Sequence, residues 1–336
     1  GSGVYDGNGD FAASGAITMS GTARLQLSAA NSGVSSLGNL TSSAGTVEYD
    51  GGTQNVLADV YNNLEIDQAG TKTAQGAVTV NGTMTVQSTG TPVYDVAATT
   101  TTVTGTSTIA GTLNINGSGV YDGNGDFAAS GAITMDGTAR LQLSAAGSGV
   151  SNLGTLDNAA GTVEYDGGTQ TVLSDNYFNL EIDQSGVKTA GGALNIDGNL
   201  TFTNSASLDM DDDDNRTLDL EGDFTITSGT FLARAGNHNI EGDWDCSGGT
   251  FQSTSEGTVT LESSSARTIT TGGSNSFYNL TIAGAVSTTT SNDVVVENLL
   301  TINASKSLTV SPGDVMTLED ATVSGTLTVD ADGSND

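Results

Sequence analysis

Apolar residues occupy every second position in short stretches of the chain, and polar, glycine-rich segments separate these stretches. One pattern of nine residues, with an acidic residue and a glycine at its centre, occurs in residues 194–202, 218–226 and 238–246. An apolar period of two is that of a β-strand with one buried face, whereas a helix has a period of 3.6. The pattern therefore predicts strands, and we find no stretch of helical length with the helical period.

The three copies of this pattern lie at regular spacings. The second begins 24 residues after the first, and the third begins 20 residues after the second. Aligning them gives columns of similar residues, such as Leu200, Phe224 and Trp244. Repeats of about 20 to 25 residues whose strands stack in register are typical of a β-solenoid. We predict an all-β chain that forms a single right-handed parallel β-helix of about 14 or 15 coils, in which Phe224 contacts Trp244.

A longer repeat is superimposed on the short one. Residues 1–70 recur almost unchanged as residues 117–186, and a weaker match continues to Phe202. At about 23 residues per coil, this offset corresponds to roughly five coils, so the duplicated unit is a group of coils. The predicted organisation is one continuous solenoid over residues 1–336, made of a first supra-repeat (1–116), a second supra-repeat (117–206, a near-copy of 1–90) and divergent coils (207–336).

Neither end of the sequence has the features of a solenoid cap. A bare terminal coil exposes unpaired backbone groups and apolar core, so solenoids usually carry caps. Within the chain, residues 111–116 run directly into Gly117, and residues 325–330 have a similar sequence. We therefore expect that Gly1 of one copy can follow Asp330 of another, so that the chain associates with itself head to tail. Because the sequence does not start with Met, we also expect a processed product or a part of a longer protein.

The charge of the chain excludes some classes of partner. Eight lysines and arginines stand against 39 acidic residues, which gives a formal net charge of −31. Nucleic acids and anionic membrane surfaces require clustered Lys and Arg, so we expect neither as a partner. No apolar run approaches the roughly 18 residues of a membrane span, so we expect no membrane insertion. The single cysteine, Cys246, excludes an intrachain disulfide framework.

Two kinds of acidic motif offer oxygen ligands for a calcium ion. In residues 6–10 and their copy, residues 122–126, three oxygen-bearing side chains alternate with glycine, as at the start of a calcium loop. Phe11 and Ile17 stand where an EF-hand has Gly and Glu, so the motif is no EF-hand, and a plain turn is the alternative. Adjacent carboxylates in residues 211–214 need a cation or solvent to screen their repulsion, and a solvated loop is the alternative there. The candidate calcium ligands are Asp6, Asn8, Asp10, Asp122, Asn124, Asp126, Asp211 and Asp213.

A further motif links the repeats to a known family. Residues 45–66 read Gly-Thr-Val-x-Tyr, then a polar link that contains Gln-x-Val, and then aromatic-x-Asn-Leu-x-Ile. Related motifs follow in residues 161–182 and 257–282, and the last of them has Arg267 in place of the glutamine and a longer link. The motif resembles repeats of large secreted bacterial surface proteins and adhesins of the parallel β-helix type. The resemblance implies a secreted chain at the cell surface or in the matrix, and it implies no single activity.

The sequence predicts a non-catalytic structural protein, an extracellular fibre subunit that stacks head to tail, with calcium as the only candidate cofactor. The first alternative is an adhesin stalk or binding segment of a longer monomeric surface protein, with a surface or polysaccharide ligand.

The second alternative is a polysaccharide lyase or hydrolase, whose acidic groups would stand on one exposed face. Several carboxylates are expected to point outward from consecutive coils, but the basic residues are scattered and the aromatic residues fall on inward positions. These carboxylates are Asp219, Glu221, Asp223, Glu241, Asp243 and Asp245. We predict that His238 and Cys246 are core residues.

Overall fold

The computed structural model describes residues 2–211, 213–253, 256–273, 275–284, 288–290 and 292–330. Within these ranges all helix or strand elements are β-strands, and the strands stack as a parallel β-solenoid of about 16 turns. The predicted all-β solenoid is confirmed. Its turns are slightly more numerous than predicted because many neighbouring strands lie only 20 residues apart, as Thr112 and Ala132 do.

Two compact units divide the chain, Gly1–Gly167 (unit 1) and Gly168–Asp336 (unit 2). The strands of unit 1 are β1 (Val4–Gly7), β2 (Phe11–Met19), β3 (Arg24–Leu27), β4 (Val34–Ser42), β5 (Thr46–Tyr49), β6 (Gln54–Val56), β7 (Val60–Tyr61), β8 (Asn63–Ile66), β9 (Gly70–Ala74), β10 (Val78–Val80), β11 (Met84–Val86), β12 (Pro92–Asp95), β13 (Thr100–Val103), β14 (Ser107–Ile109), β15 (Thr112–Ile115), β16 (Val120–Gly123), β17 (Phe127–Met135), β18 (Arg140–Leu143), β19 (Val150–Asn158) and β20 (Thr162–Tyr165).

The strands of unit 2 are of similar length. They are β21 (Gln170–Val172), β22 (Asn176–Tyr177), β23 (Asn179–Ile182), β24 (Gly186–Ala190), β25 (Leu194–Ile196), β26 (Leu200–Phe202), β27 (Ala206–Asp209), β28 (Leu218–Leu220), β29 (Phe224–Ile226), β30 (Gly229–Leu232), β31 (Asn237–Ile240), β32 (Trp244–Asp245), β33 (Thr250–Gln252), β34 (Thr258–Leu261), β35 (Arg267–Thr270), β36 (Ser276–Ile282), β37 (Thr288–Thr290), β38 (Val294–Ile302), β39 (Ser307–Val310), β40 (Met316–Val323) and β41 (Thr326–Val329).

The strands of unit 1 stack in three parallel columns. The long strand β17 contributes its first half to one column and its second half to another. In order, the first column contains β1, β3, β5, β8, β11, β14 and β17; the second contains β6, β9, β12, β15 and β17; and the third contains β7, β10, β13, β16, β18 and β20. Strand β19 pairs with β17, and β4 pairs with β2 in the same register.

Unit 2 also has three parallel columns. In order, the first contains β21, β24, β27, β30, β33 and β36; the second contains β22, β25, β28, β31, β34 and β36; and the third contains β23, β26, β29, β32, β35, β37, β39 and β41. Strand β38 pairs with β36, and β40 pairs with β38. Each column therefore adds one strand for each turn of the chain.

The long repeat of the sequence does not return to the same column. Strand β1 stands in the first column of unit 1, whereas its sequence copy β16 stands in the third. In the first column, the strand of Ser107 lies five turns after the strand of Val4, and the strand of Phe127 lies six turns after it. Val120, the copy of Val4, lies between these two strands in the sequence. The repeat is therefore longer than the five turns that its length suggested.

Alternate residues of the strands form the buried core. In unit 2, Leu200, Phe224 and Trp244 are in register on three consecutive coils, as predicted. The rings of Phe224 and Trp244 stack with their centroids 4.1 Å apart and their planes at 9°. Burial of one such side chain contributes about 1.5–3 kcal/mol, and an aromatic pair adds about 0.5–1.5 kcal/mol.

Buried tyrosines line the core of unit 1, and their hydroxyl groups are paired. The hydroxyls of Tyr49 and Tyr61 lie 3.1 Å apart, and the hydroxyl of Tyr121 donates to Ser107 Oγ at 2.8 Å. Burial raises the pKa of Tyr49 to about 12. Each phenol therefore enters the core as a neutral, hydrogen-bonded group.

Candidate functional site

The first copy of the predicted calcium motif is an exposed turn. Asp6 lies on β1, and Asn8 and Asp10 lie between β1 and β2. The backbone holds this turn in place, since the N–H of Phe11 donates to the carbonyl oxygen of Gly33 at 2.7 Å. Calcium binding by Asp6, Asn8 and Asp10 stays a prediction.

The second copy of the motif is tied to the coil before it. Asp122 is half-buried on β16, while Asn124 and Asp126 are exposed in the turn before β17. The N–H of Asn124 donates to the carbonyl oxygen of Val103, and the N–H of Ser107 donates to that of Asp126, both at 2.8 Å. The motif therefore forms a turn, and calcium binding by Asp122, Asn124 and Asp126 stays a prediction.

Arginines accompany the acidic run that begins at Asp209. The guanidinium of Arg234 donates two hydrogen bonds to the Asp209 carboxylate, at 2.7 and 2.6 Å, and these bonds lower the pKa of Asp209. Arg216 lies 2.6 Å from a carboxylate oxygen of Asp214 and 3.5 Å from one of Asp211. These arginines therefore screen the repulsion between the carboxylates, for which a cation or solvent was expected.

The two candidate ligands within this run differ in exposure. Asp211 is half-buried and Asp213 is exposed, and the N–H of Asp213 donates to Asp211 Oδ1 at 3.3 Å. Asp212 lies outside the described residues. A calcium site at Asp211 and Asp213 stays a prediction, and Arg216 would compete with the ion for the carboxylate of Asp211.

A ladder of Asn and Asp side chains connects consecutive coils of unit 2. Each side-chain oxygen accepts a hydrogen bond from a backbone N–H of the next coil. The acceptors and the N–H donors are Asn179 with Asn199 (2.9 Å), Asn199 with Asp223 (2.9 Å), Asp223 with Asp243 (2.9 Å) and Asp243 with Thr268 (2.8 Å). We call these four side chains, Asn179, Asn199, Asp223 and Asp243, the Asx ladder.

The Asx ladder corrects part of the sequence analysis. Asp223 and Asp243 were expected to point outward without a structural role, but each is half-buried and accepts a hydrogen bond from the backbone of the following coil. Their common place in the nine-residue pattern, directly after its central glycine, is the sequence signal for this role.

The glutamine of the family motif closes a corner of the solenoid. The side chain of Gln54 is buried; its Nε2 donates to the carbonyl oxygens of Leu27 (2.6 Å) and Ala29 (2.9 Å), and its Oε1 accepts from the N–H of Gly51 (2.8 Å). These bonds give backbone groups of the corner a buried side-chain partner, and the carbonyl oxygen of Leu27 also accepts from the N–H of Asp50 at 3.3 Å. Glutamine suits this position because its side-chain amide has both the donors and the acceptor that these three hydrogen bonds need.

In the third copy of the motif, where Arg267 replaces the glutamine, a buried asparagine makes comparable bonds. Asn275 Nδ2 donates to the carbonyl oxygens of Cys246 and Gly249, both at 3.0 Å, and its Oδ1 accepts from the N–H of Phe251 at 2.9 Å. Asn275 follows no repeated spacing, so the repeats give no signal for this role.

A buried lysine closes the next corner of unit 1. Lys72 lies in register with Gln54, and its Nζ donates to the carbonyl oxygens of Gln68 (2.7 Å) and Ala69 (3.1 Å). Burial lowers the pKa of Lys72 to about 8. A lysine was not expected in the core, but the alternation of Lys72 with Ala74 on β9, which places it on an inward position, is the sequence signal for it. Its copy Lys188 is buried in unit 2.

The predicted core positions of His238 and Cys246 are confirmed. The Nε2 of His238 lies 2.8 Å from the carbonyl oxygen of Ala233, and its Nδ1 is buried without a hydrogen-bond partner. Burial lowers the pKa of His238 to about 4, so the ring is neutral at pH 7. Cys246 is buried, and its sulfur accepts a hydrogen bond from Trp244 Nε1 at 3.3 Å.

Strands β1 and β2, which we call the first coil (residues 4–19), expose apolar side chains that are buried in the copy of this coil. Tyr5 is 57% exposed, whereas its copy Tyr121 is fully buried. The ring of Tyr5 nevertheless packs edge-on against Phe11 at 5.9 Å, as the ring of Tyr121 packs against Phe127 at 6.1 Å. The first coil therefore already has the internal geometry of its covered copy.

The exposed side of the first coil is concave. A recess of about 470 Å³ is lined by apolar residues that include Tyr5, Phe11, Ile17, Met19 and Leu25. In the copy, the corresponding residues are buried, and β13, β14 and β15 lie against that side of β16 and β17. In the described structure, no strand pairs with this side of β1 or β2.

Glycines of the first coil show the same contrast with their copies. A Cβ on Gly131 would lie 1.8 Å from the carbonyl oxygen of Gly111, and one on Gly125 would lie 2.3 Å from that of Gly105. A Cβ on Gly15, the copy of Gly131, would meet nothing within 4 Å. The close approach of the preceding coil thus requires glycine at position 131, whereas no neighbour within unit 1 requires glycine at position 15.

At the other end of the described chain, β40 and β41 form what we call the last coil (residues 316–329). Among the described strands, β40 pairs with β38 and β41 pairs with β39, so each has one edge without a partner strand. Val323 is 44% exposed and Val329 is 69% exposed. The last coil therefore also presents an apolar surface with unpaired strand edges.

None of the described residues belongs to a helix long and apolar enough to cross a membrane. Comparisons with protein-family models, with curated proteins and with solved structures gave no match.

Proposed function

We propose that the chain is a non-catalytic structural subunit of an extracellular fibre, in which the last coil of one copy lies on the first coil of the next. The observation that carries the proposal is the contrast between Gly15 and Gly131. The same sequence has glycine at both positions, but only Gly131 has a neighbouring carbonyl that excludes a side chain. If another coil stacked on the first coil, its backbone would exclude a Cβ at Gly15, as the carbonyl of Gly111 does at Gly131.

Burial of apolar surface supplies the free energy for this contact. Tyr5, Phe11 and Ile17 are exposed or half-buried, and the copies of all three are fully buried. Full burial contributes about 1.5–3 kcal/mol for each large apolar side chain. Several such side chains from two facing coils, with the paired strand edges, offset an association cost of about 4–15 kcal/mol.

The geometry of the contact favours a filament. The first and last coils are different surfaces, so their contact is heterologous, and a heterologous contact that does not close into a ring grows indefinitely. The net charge of −31 opposes side-by-side aggregation of such filaments. The proposed cell-surface or matrix location is supported by the resemblance of residues 45–66 to repeats of secreted bacterial surface proteins alone.

The test is electron microscopy and light scattering of the purified chain at about 0.15 M salt, where screening limits charge repulsion to about 8 Å. We expect filaments from the wild type and single chains from Gly15→Ala. Their unfolding free energies, measured below the concentration at which filaments form, should be equal within about 0.5 kcal/mol. Gly52→Ala is the matched control, because a Cβ at this exposed glycine also meets nothing within 4 Å, and it should form filaments. Single chains from the wild type would contradict the proposal and favour a segment of a longer monomeric surface protein.

A further inference from the structure

The internal copy of the first coil provides a template for the contact between chains. Residues 127–135 of β17 have the same sequence as residues 11–19 of β2, and both strands pair on one side with the same register shifts. On its other side, β17 pairs with β14 and β15. The second pairing places Leu113 opposite Ile133 and Asn114 opposite Thr134.

The last coil matches the strands that cover this template. Residues 325–329 read Gly-Thr-Leu-Thr-Val and residues 111–115 read Gly-Thr-Leu-Asn-Ile. Both β41 and β15 are strands of four residues that begin directly after the glycine. The spacing to the preceding strand also agrees. Ala321 on β40 lies six positions before Leu327 on β41, as Ser107 on β14 lies six positions before Leu113 on β15.

We infer that Thr326–Val329 of one copy pairs in parallel with residues 16–19 of the next, with Thr328 opposite Thr18. The inference rests on the proposed function and adds to it the partner strands and their register. In this register the carbonyl of Gly325 faces Gly15, as that of Gly111 faces Gly131.

The side chains on the inner side of this pairing fill the exposed recess. Leu327 lies over Ile17 and Val329 lies over Met19, in the places that Leu113 and Ile115 hold in the internal copy. On the outer side, Thr18 and Thr328 come together as Thr134 and Asn114 do, where Thr134 Oγ1 donates to Asn114 Oδ1 at 2.7 Å. The register thus joins apolar side chains inside and polar side chains outside.

The register is tested by disulfide cross-linking of the full chain. In the proposed pairing, the two facing strands lie about 4.8 Å apart, which is within the usual Cα separation of a disulfide. The double variant Thr18→Cys/Thr328→Cys can therefore form a disulfide between neighbouring copies. We expect a ladder of covalent multimers under mild oxidation, which a reductant removes. The control is Thr18→Cys/Thr326→Cys. Its second cysteine lies two residues earlier on the strand, about 7 Å from position 328, which is too far to bond Cys at position 18, so we expect no ladder. Thr18→Cys alone shows whether Cys246 contributes.

Electron microscopy of the same samples separates two kinds of failure. Filaments that cross-link through Thr326→Cys, or through neither pair, would overturn the register and leave the fibre proposal standing. Single chains without cross-links would overturn both. Filaments with a ladder only from Thr18→Cys/Thr328→Cys would support both.

Discussion

Buried polar side chains hold the turns of this solenoid, and each does so through its own hydrogen-bonding chemistry. Gln54 offers donors and an acceptor to three backbone groups, whereas Lys72 offers donors alone to two carbonyls. Asn275 makes comparable bonds where the sequence motif departs from the glutamine. The residue type at each corner therefore matches the backbone donors and acceptors that its side chain meets.

His238 makes the stability of unit 2 sensitive to acid. Its pKa is about 4 in the folded chain and about 6.5 when exposed, because protonation would bury a charge and an unpaired N–H at Nδ1. Between these values the unfolded chain binds the additional proton. The contribution of a neutral His238 is therefore fully present above pH 6.5 and is lost as the pH falls towards 4.

We expect His238→Leu to remove this part of the acid sensitivity. Leu218 and Val259 lie in register on either side of His238, so leucine suits the column. Urea unfolding should give free energies within about 1 kcal/mol of the wild type at pH 7, and a relative gain on the order of 3 kcal/mol by pH 4. Equal pH profiles for the two proteins would show that His238 is not the group responsible.

At the scale of the strands, the two-residue period predicted most of the fold. It identified the column that contains Phe224 and Trp244, because side chains on one face of a strand recur at every second position. It did not predict which column the repeated strand β16 joins, because short differences in coil length accumulate over several turns. It also did not reveal the Asx ladder, since a hydrogen bond between coils depends on where a side-chain oxygen points.

The Asx ladder predicts different effects for two aspartates of unit 2. Asp223→Ala removes the acceptor for the N–H of Asp243 and should lower the unfolding free energy by about 1 kcal/mol. Asp223→Asn keeps the acceptor, as Asn199 does, and should restore most of the loss. Asp219 is exposed on the outer face of β28, so Asp219→Ala should change stability by less than about 0.5 kcal/mol. Chemical denaturation measures all three, and equal losses for the two alanine variants would argue against the ladder.

At the scale of the whole molecule, charge opposes the association that the apolar coils favour. Every copy carries a formal charge of −31, so two copies repel each other at low ionic strength. The inferred register also sets two carboxylates side by side. It places Ala321 opposite Phe11 and therefore Asp320 opposite Asp10, whereas the internal copy has the uncharged Thr106 in the place of Asp320.

Asp320→Lys should therefore strengthen assembly at low salt, because it replaces a repulsion at the contact by an attraction to Asp10. Asp219→Lys makes the same change in net charge on the outer face of unit 2, away from the last coil, and should act only through the weaker long-range field. We expect the concentration at which filaments appear, measured by light scattering at about 10 mM salt, to fall several-fold for Asp320→Lys and little for Asp219→Lys. At about 0.5 M salt the variants should converge, because screening then acts over less than 5 Å. If both variants lowered this concentration equally, net charge alone would control assembly, and Asp320 would not face Asp10 in the filament.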